Sequence, residues 1–194
     1  MRLRTAAAAT LAVTVLVAVP IGAFARPSAA PAACARTGYS YSGYASRRPV
    51  GVVAATISAI APPRVASGHA AAWVGVGDRR SHRWLQAGLA SFRGTSLRLY
   101  YELALPGVPR RYVELDRAVV VGQRFRVAVV ETSPGLWHVE VDGRAVTTPV
   151  ALPGTWRGIA TAESWSAAAQ PCNRYGYRFG DVVGAGAPTQ FAAS

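Results

Sequence analysis

The sequence predicts an all-β protein, a sandwich or jelly roll of antiparallel strands. Apolar and polar residues alternate with a period of two, turn residues separate short apolar runs, and no long segment shows the period of a helix. The 194 residues suffice for one domain with its own core, and we find no internal repeat. An apolar content of 51% with only 15% charged residues excludes an intrinsically disordered chain.

The first four predicted strands are apolar runs that end at turn residues. Residues 50–60 are rich in β-branched side chains and stop before Pro62-Pro63. Three further strands are expected at residues 70–76, 84–91 and 97–105, the last of which stops at Pro106-Gly107.

The clearest element is a hairpin. Phe125, Val127 and Val129 alternate with Arg124, Arg126 and Ala128. Ser133-Pro134-Gly135 then turns the chain, and residues 137–141 form the returning strand. Asp142-Gly143 provides another tight turn. Near the end of the chain, the aromatic residues Tyr175, Tyr177 and Phe179 share one face of a last strand, and Arg174 and Arg178 share the other.

The first 25 residues have the layout of a secretory signal peptide. Arg2 and Arg4 precede an apolar stretch at residues 6–19, and Ala23-Phe24-Ala25 offers a small-x-small cleavage site. This stretch is shorter than the roughly 20 residues that span a bilayer as a helix, and an uncleaved anchor is the alternative. We expect a secreted protein with a signal peptide at 1–25, a flexible Ala/Pro-rich lead-in at 26–38, one sandwich domain at 39–183 and a flexible tail at 184–194.

The basic charge predicts an affinity for polyanions without a specific partner. All 21 basic side chains are arginine, against nine acidic ones, and the net charge is +12. The arginines are scattered, with at most two adjacent, and no helix-turn-helix or zinc-finger spacing occurs. We therefore expect no specific nucleic-acid partner and no stable membrane insertion, and we expect a monomer.

Cys34 and Cys172 are the only cysteines, and in an oxidising compartment an even count predicts a disulfide. The bond would tie the start of the domain to its last strand. A reactive thiol is the alternative, but neither cysteine stands in a motif with a histidine.

The common catalytic motifs do not occur. The three histidines (His69, His82 and His138) are not at metal-ligand spacing, and the sequence has neither a Gly-x-Ser-x-Gly motif nor a Gly-rich phosphate loop. We expect no metal and no other cofactor.

Two polar residues in apolar strands are the candidates for chemistry. Glu163 lies in an uncharged stretch at residues 159–165, and Gln86 lies in the apolar run at 84–89. A carboxylate at such a position must face solvent, a cleft or a hydrogen-bonding partner, because burying it alone is costly. The alternative is that each is an ordinary solvent-facing residue of a two-faced strand.

The order of five short motifs resembles the glutamic peptidase (eqolisin) family, whose fold is a concanavalin-like β-sandwich. The motifs are Trp73-Val74-Gly75, Leu85-Gln86-Ala87-Gly88, Tyr101-Glu102 ahead of Pro106, a Val-x-x-Gly-Gln turn at 119–123 and Ala162-Glu163. The resemblance covers roughly residues 70–166 and departs where Ser164 separates Glu163 from Trp165.

The resemblance implies that Gln86 and Glu163 form a catalytic dyad. Tyr100 and Glu102 share one face of their strand, and we expect them to line the substrate cleft together with Trp73. The implied function is a secreted acid endopeptidase acting on polypeptides, in which Glu163 activates water and Gln86 stabilises the oxyanion. The alternative is a non-catalytic module that binds a polysaccharide or cell-wall polymer on its aromatic side chains. A glycoside hydrolase with Glu102 and Glu163 as its two carboxylates is a third interpretation.

Overall fold

The computed structural model describes Cys34 and residues 36–78, 80–184 and 188–191, the last four by their backbone. These ranges contain strands and turns and no helix, so nothing in them resembles a membrane-spanning helix. The predicted signal peptide and residues 26–33 of the lead-in lie outside the described residues.

Thirteen strands are found in these ranges. They are β1 (Gly38–Pro49), β2 (Val52–Ala59), β3 (His69–Asp78), β4 (Arg83–Phe92), β5 (Arg98–Leu105), β6 (Val108–Asp116), β7 (Phe125–Ser133), β8 (Leu136–Val141), β9 (Arg144–Ala145), β10 (Val150–Ala151), β11 (Arg157–Ser166), β12 (Tyr177–Val183) and β13 (Pro188–Phe191).

The strands form two antiparallel sheets, which confirms the predicted β-sandwich. One sheet has seven strands in the order β13-β1-β11-β3-β4-β5-β6, and the other has the order β10-β8-β7-β2-β12, with β9 paired to β8. The connections from β2 to β3 and from β6 to β7 cross between the sheets. Because β11 joins the first sheet between β1 and β3, residues distant in sequence meet in its centre.

The core lies between the sheets and follows the period of two. On β3 and β4 the core takes Ala72, Val74, Leu85, Ala87 and Leu89, all fully buried. They pack against Val53, Ala55, Ile57, Val127, Val129 and Val139 from the other sheet. The alternate residues of β3 and β4, including Trp73 and Gln86, are therefore on the opposite face of the seven-stranded sheet.

The predicted strands at 50–60, 70–76, 84–91 and 97–105, and the hairpin at 125–141, are confirmed to within a few residues. Strands β1 and β6 were not predicted. β1 is built largely of Gly, Ser and Tyr, and β6 carries Pro109 and two arginines on an exposed segment, so neither shows a clear apolar alternation.

The predicted disulfide between Cys34 and Cys172 is confirmed. The two residues are 138 positions apart, and a crosslink closing a loop of that size stabilises a fold by about 5 kcal/mol in the chain-entropy model. β13 lies within the segment 184–194, for which the sequence predicts a flexible tail, and it pairs with β1.

Candidate active site

The outer face of the seven-stranded sheet holds a cavity of about 1110 Å³. Strand register arranges the residues of this face in rows across the sheet. The first row consists of Tyr41, Glu163, Ala71 and Ala90. The second row lies two residues away on each strand and consists of Gly43, Thr161, Trp73, Gly88 and Tyr100. The third row runs Ala45, Ile159, Gly75, Gln86, Glu102, Tyr112.

All five residues that the sequence assigned to catalysis or substrate binding line this one cavity. They are Trp73, Gln86, Tyr100, Glu102 and Glu163. Gly88 and Gly75 lie in these rows where the backbones of β3 and β4 approach each other closely. A Cβ added at Gly88 would collide with the backbone of Ala72 and lie 2.6 Å from the Cα of Trp73, and one added at Gly75 would lie 2.7 Å from the backbone oxygen of Leu85. The pairing of β3 with β4 at these two positions therefore depends on glycine.

Glu163 is held at the Tyr41 end of the cavity by two hydrogen-bond donors. His69 Nε2 lies 2.8 Å from Oε1, and the indole Nε1 of Trp73 donates to Oε2 at 3.0 Å. The residue is only 9% exposed. These two contacts supply the hydrogen-bonding partners that a buried carboxylate requires.

Gln86 contacts a different pair of groups. Its Nε2 lies 3.3 Å from the hydroxyl oxygen of Tyr100 and 3.3 Å from Oε2 of Glu102. The side chain of Arg110 lies 4.0 Å from Oε1 of Glu102 and stacks over the Trp84 ring, 5.3 Å from its centroid. The amide N–H groups of Gln86 are thus directed along the cavity floor toward two oxygen acceptors.

Burial keeps Tyr100 and Glu102 in their neutral forms over a wider pH range than usual. Burial, reinforced by the negative charges of Glu163 and Glu102, raises the pKa of the Tyr100 phenol well above its ordinary value. Burial also raises the pKa of Glu102; the nearby Arg110 partly opposes this shift, and Glu163 adds to it. Both groups are therefore available as proton-bearing neighbours of Gln86 in acid.

Glu163 and Gln86 flank β3 from its two sides. Glu163 pairs with Ala71 and Gln86 pairs with Gly75, so the two residues are offset by four positions (75 − 71) along β3. At roughly 3.3 Å per residue this is about 13 Å along the strand. Trp73 stands midway between them on the same face. A ligand reaching both side chains must therefore lie over Trp73.

The chain around Glu163 is fastened by Asn173, which follows Cys172 of the disulfide. Oδ1 of Asn173 accepts from the backbone N–H groups of Ala66 and Ser67. Its Nδ2 lies 2.8–3.1 Å from four acceptors: the carbonyl oxygens of Ser67, His69 and Trp165 and the hydroxyl of Ser164. This Asn173 clamp joins the start of β3 to the end of β11, beside Glu163.

Three residues of the site were not predicted from the sequence. The cavity is also lined by His69, Arg110 and Tyr112. His69 was predictable from strand periodicity. It lies two residues before Ala71 and four before Trp73, so its side chain shares their face of the strand. Tyr112 and Arg110 belong to β6, for which no strand was predicted. Among the described residues, no group of three or more His, Cys, Asp or Glu side chains could hold a metal ion.

Solved structures with a similar fold include glutamic peptidases. A scytalidoglutamic peptidase with a peptide-based transition-state analogue is 16% identical, with a TM-score of 0.55 over 79% of this chain and 84% of that chain. SCP-B, an eqolisin in complex with the tripeptide Ala-Ile-His, is 14% identical, with a TM-score of 0.52 over 79% and 83%. This chain has an eqolisin-like fold. The predicted resemblance to glutamic peptidases is therefore confirmed for the fold.

A weaker similarity extends to a carbohydrate-binding module, CBM66 from Bacillus subtilis. It is 12% identical, with a TM-score of 0.41 over 75% of this chain and 81% of that chain. No protein-family model matches the sequence, and no curated protein matches it. The eqolisin-like fold is thus seen in the structure alone, and a fold does not by itself determine the chemistry of its cavity.

Proposed function

We propose that the chain is an exported acid endopeptidase of the Gln/Glu type. The observation that carries this proposal is the arrangement of the cavity floor. Glu163, fixed by two donors, and Gln86, with its amide along the floor, flank Trp73 on one face of an eqolisin-like sheet. A peptide lying across β3 would meet a carboxylate on one side and an amide donor on the other.

Glu163 is the general base in this proposal. Its carboxylate accepts a proton from a water molecule as the water oxygen forms a bond to the carbonyl carbon of the substrate. The carbonyl π-electron pair moves to oxygen and gives a tetrahedral oxyanion. Glu163 then returns the proton to the departing nitrogen as the C–N bond breaks. The donors His69 and Trp73 fix both carboxylate oxygens, so the base needs little reorganisation.

Gln86 stabilises the oxyanion through an N–H of its side-chain amide. In the free protein this amide lies 3.3 Å from both Tyr100 and Glu102, so the substrate oxygen must take the place of one of these acceptors. Protonation of Glu102 makes it a poorer acceptor, and its raised pKa brings that protonation closer to neutral pH. Acid therefore weakens one of the two contacts with which the substrate oxygen competes for the Gln86 amide.

The experiment is cleavage of an acid-denatured protein substrate between pH 2 and 7 by the disulfide-bonded chain and its Glu163→Gln variant. We expect cleavage on the acid side of neutrality and a loss of about 10²- to 10⁴-fold in kcat in the variant, since loss of a general base has effects of that size. Glu140→Gln is the matched control, because Glu140 also contacts a histidine but lies outside the cavity.

Two results would contradict the proposal. One is the absence of cleavage at every pH by a folded, oxidised sample. The other is Glu163→Gln retaining the wild-type rate, which would assign any observed cleavage to other groups.

A second function, binding of a glycan without cleavage, is favoured by the rings along the cavity. Tyr41, Tyr39, His69, Phe92, Tyr112 and Tyr100 form a chain with successive centroids 4.9–5.9 Å apart. Exposed faces of such rings are surfaces on which sugars stack. Under this function, cell-wall polysaccharide would change the tryptophan fluorescence of the chain, and Glu163→Gln would bind as tightly as wild type. Peptide cleavage without a fluorescence response would exclude it.

A further inference from the structure

His69 is the one histidine that lines the described cavity, and it lies outside the motifs that carry the family resemblance. Its Nε2 is 2.8 Å from Oε1 of Glu163 although the two residues are 94 positions apart. When Glu163 is ionised its oxygens only accept hydrogen bonds, so Nε2 of His69 must carry the hydrogen. The contact is then a charge-assisted hydrogen bond to the proposed base.

The His69 ring is held in this orientation from several sides. Its centroid lies 5.8 Å from that of the Tyr39 ring, with 62° between the two planes, and 5.9 Å from that of the Phe92 ring. Its backbone oxygen accepts from Asn173 Nδ2 at 3.1 Å and from the hydroxyl of Ser164 at 3.2 Å. The side chain is 22% exposed. Packed rings and a fastened backbone therefore aim Nε2 at Glu163.

We propose that His69 is a positioning residue for Glu163. Trp73 donates a hydrogen bond to Oε2 and His69 donates one to Oε1, so two donors fix the plane of the carboxylate. Without His69, the carboxylate can rotate about its terminal torsion, which is a soft one for glutamate. A base that rotates spends less time in line with the attacking water, and the rate of the chemical step falls.

This inference rests on the proposed peptidase function and extends it to a third residue. The other histidine–glutamate contact, His138 with Glu140 at 2.8 Å, provides an internal reference because it has the same chemistry outside the cavity. A histidine that only stabilises the fold would behave like His138. A positioning residue would alter kcat.

The experiment compares His69→Gln with His69→Leu, two side chains of similar size of which only glutamine can donate a hydrogen bond. His138→Leu is the control. With a peptide substrate in acid we expect His69→Leu to lose about 10- to 100-fold in kcat, as for loss of a hydrogen bond to a charged group, with KM changed less than about twofold. His69→Gln should recover most of the lost kcat, and His138→Leu should keep the wild-type kcat.

The outcomes separate the two proposals. A wild-type chain that cleaves nothing overturns both. An active wild type with equal kcat in His69→Leu, or equal losses in His69→Leu and His69→Gln, overturns only the role of His69. Thermal melting is recorded for each variant, and loss of the transition in both His69 variants would assign the residue to the fold and likewise overturn the proposal.

Discussion

The described part of the chain contains two histidine–glutamate contacts of the same length in different settings. His69 and Glu163 meet at 2.8 Å across two strands of the seven-stranded sheet, from positions 94 residues apart. His138 and Glu140 meet at 2.8 Å along one strand of the other sheet, two residues apart. The first pair lines the cavity and is joined by an indole N–H, whereas the second lies outside the cavity.

The difference shows how much of a contact depends on the fold. Residues at i and i+2 of a strand share a face, so His138 and Glu140 stay close whenever that short segment is extended. His69 and Glu163 meet only when β11 has inserted beside β3. The long-range pair is therefore sensitive to everything that holds those two strands together, and the local pair is not.

The largest difference between the two pairs is expected in the hydrogen exchange of their strands after the substitution Asn173→Ala. The substitution leaves several partly buried donors and acceptors without a partner and should lower the free energy of unfolding by about 1–3 kcal/mol. Hydrogen exchange should accelerate at the backbone amides that begin β3 and end β11, near His69, and remain slow in β7 and β8 around His138. Exchange measured by mass spectrometry or NMR gives the comparison.

Gln123→Ala is the control for this prediction, because it removes a side-chain amide from an exposed turn, where Oε1 accepts from Val120 N–H. Equal exchange in the two sheets after Asn173→Ala would show that the Asn173 clamp does not act locally.

A smaller difference is expected in the coupling energy of the two pairs. Double-mutant cycles to alanine, read by urea unfolding in one buffer, should give about 1–3 kcal/mol for His69 with Glu163. For His138 with Glu140 we expect about 0.2–1 kcal/mol, because Glu140 is more exposed and the two residues remain neighbours in the unfolded chain. Equal coupling energies would remove the distinction between the pairs.

The smallest expected effect is a change in the pH dependence of stability, and it comes from Glu102. The cation that contacts this cavity carboxylate, Arg110, is 4.0 Å away and largely exposed. Burial raises its pKa, so the folded state holds the proton at pH values where the unfolded chain has lost it. Stability should therefore fall as the pH rises from the usual glutamate pKa to the raised one, and the loss should persist above it. Glu102→Gln should remove this loss.

Urea unfolding at several pH values between 3.5 and 7 measures this prediction. The stability of Glu102→Gln relative to wild type should increase with pH through the window and then level off. Glu140→Gln, measured alongside, shows what the same substitution does outside the cavity. A difference between Glu102→Gln and wild type that is independent of pH would contradict the role of burial.

Much of the fold was predictable because its central strands are apolar runs that end at turn residues. Such runs predicted β2 to β5, and alternation ahead of a Pro-Gly turn predicted the hairpin of β7 and β8. The structure then places Gln86 on the face opposite the core. Strands β1 and β6 were not predicted because most of their residues are only partly buried or exposed and show little apolar alternation.

The site was only partly predictable, for a physical reason. Gln86 and Glu163 stood out because each is a polar residue inside an apolar run. His69 begins its strand next to Gly68 and lacks such a contrast, and only the pairing of β11 with β3 brings it to Glu163. The many contacts of Asn173 depend on loops that meet only in the folded chain. Contacts of this kind leave no local pattern in a sequence.

The position of Glu163 has a consequence for the order in which the protein is made. Glu163 has the highest residue number of all the cavity-lining residues, and Asn173 and Cys172, which secure its surroundings, are later still. During synthesis from the N-terminus, a ribosome-bound chain can form the β3–β4–β5 meander while lacking both the proposed base and its fastening. Any activity that depends on Glu163 therefore begins only after translation has passed β11.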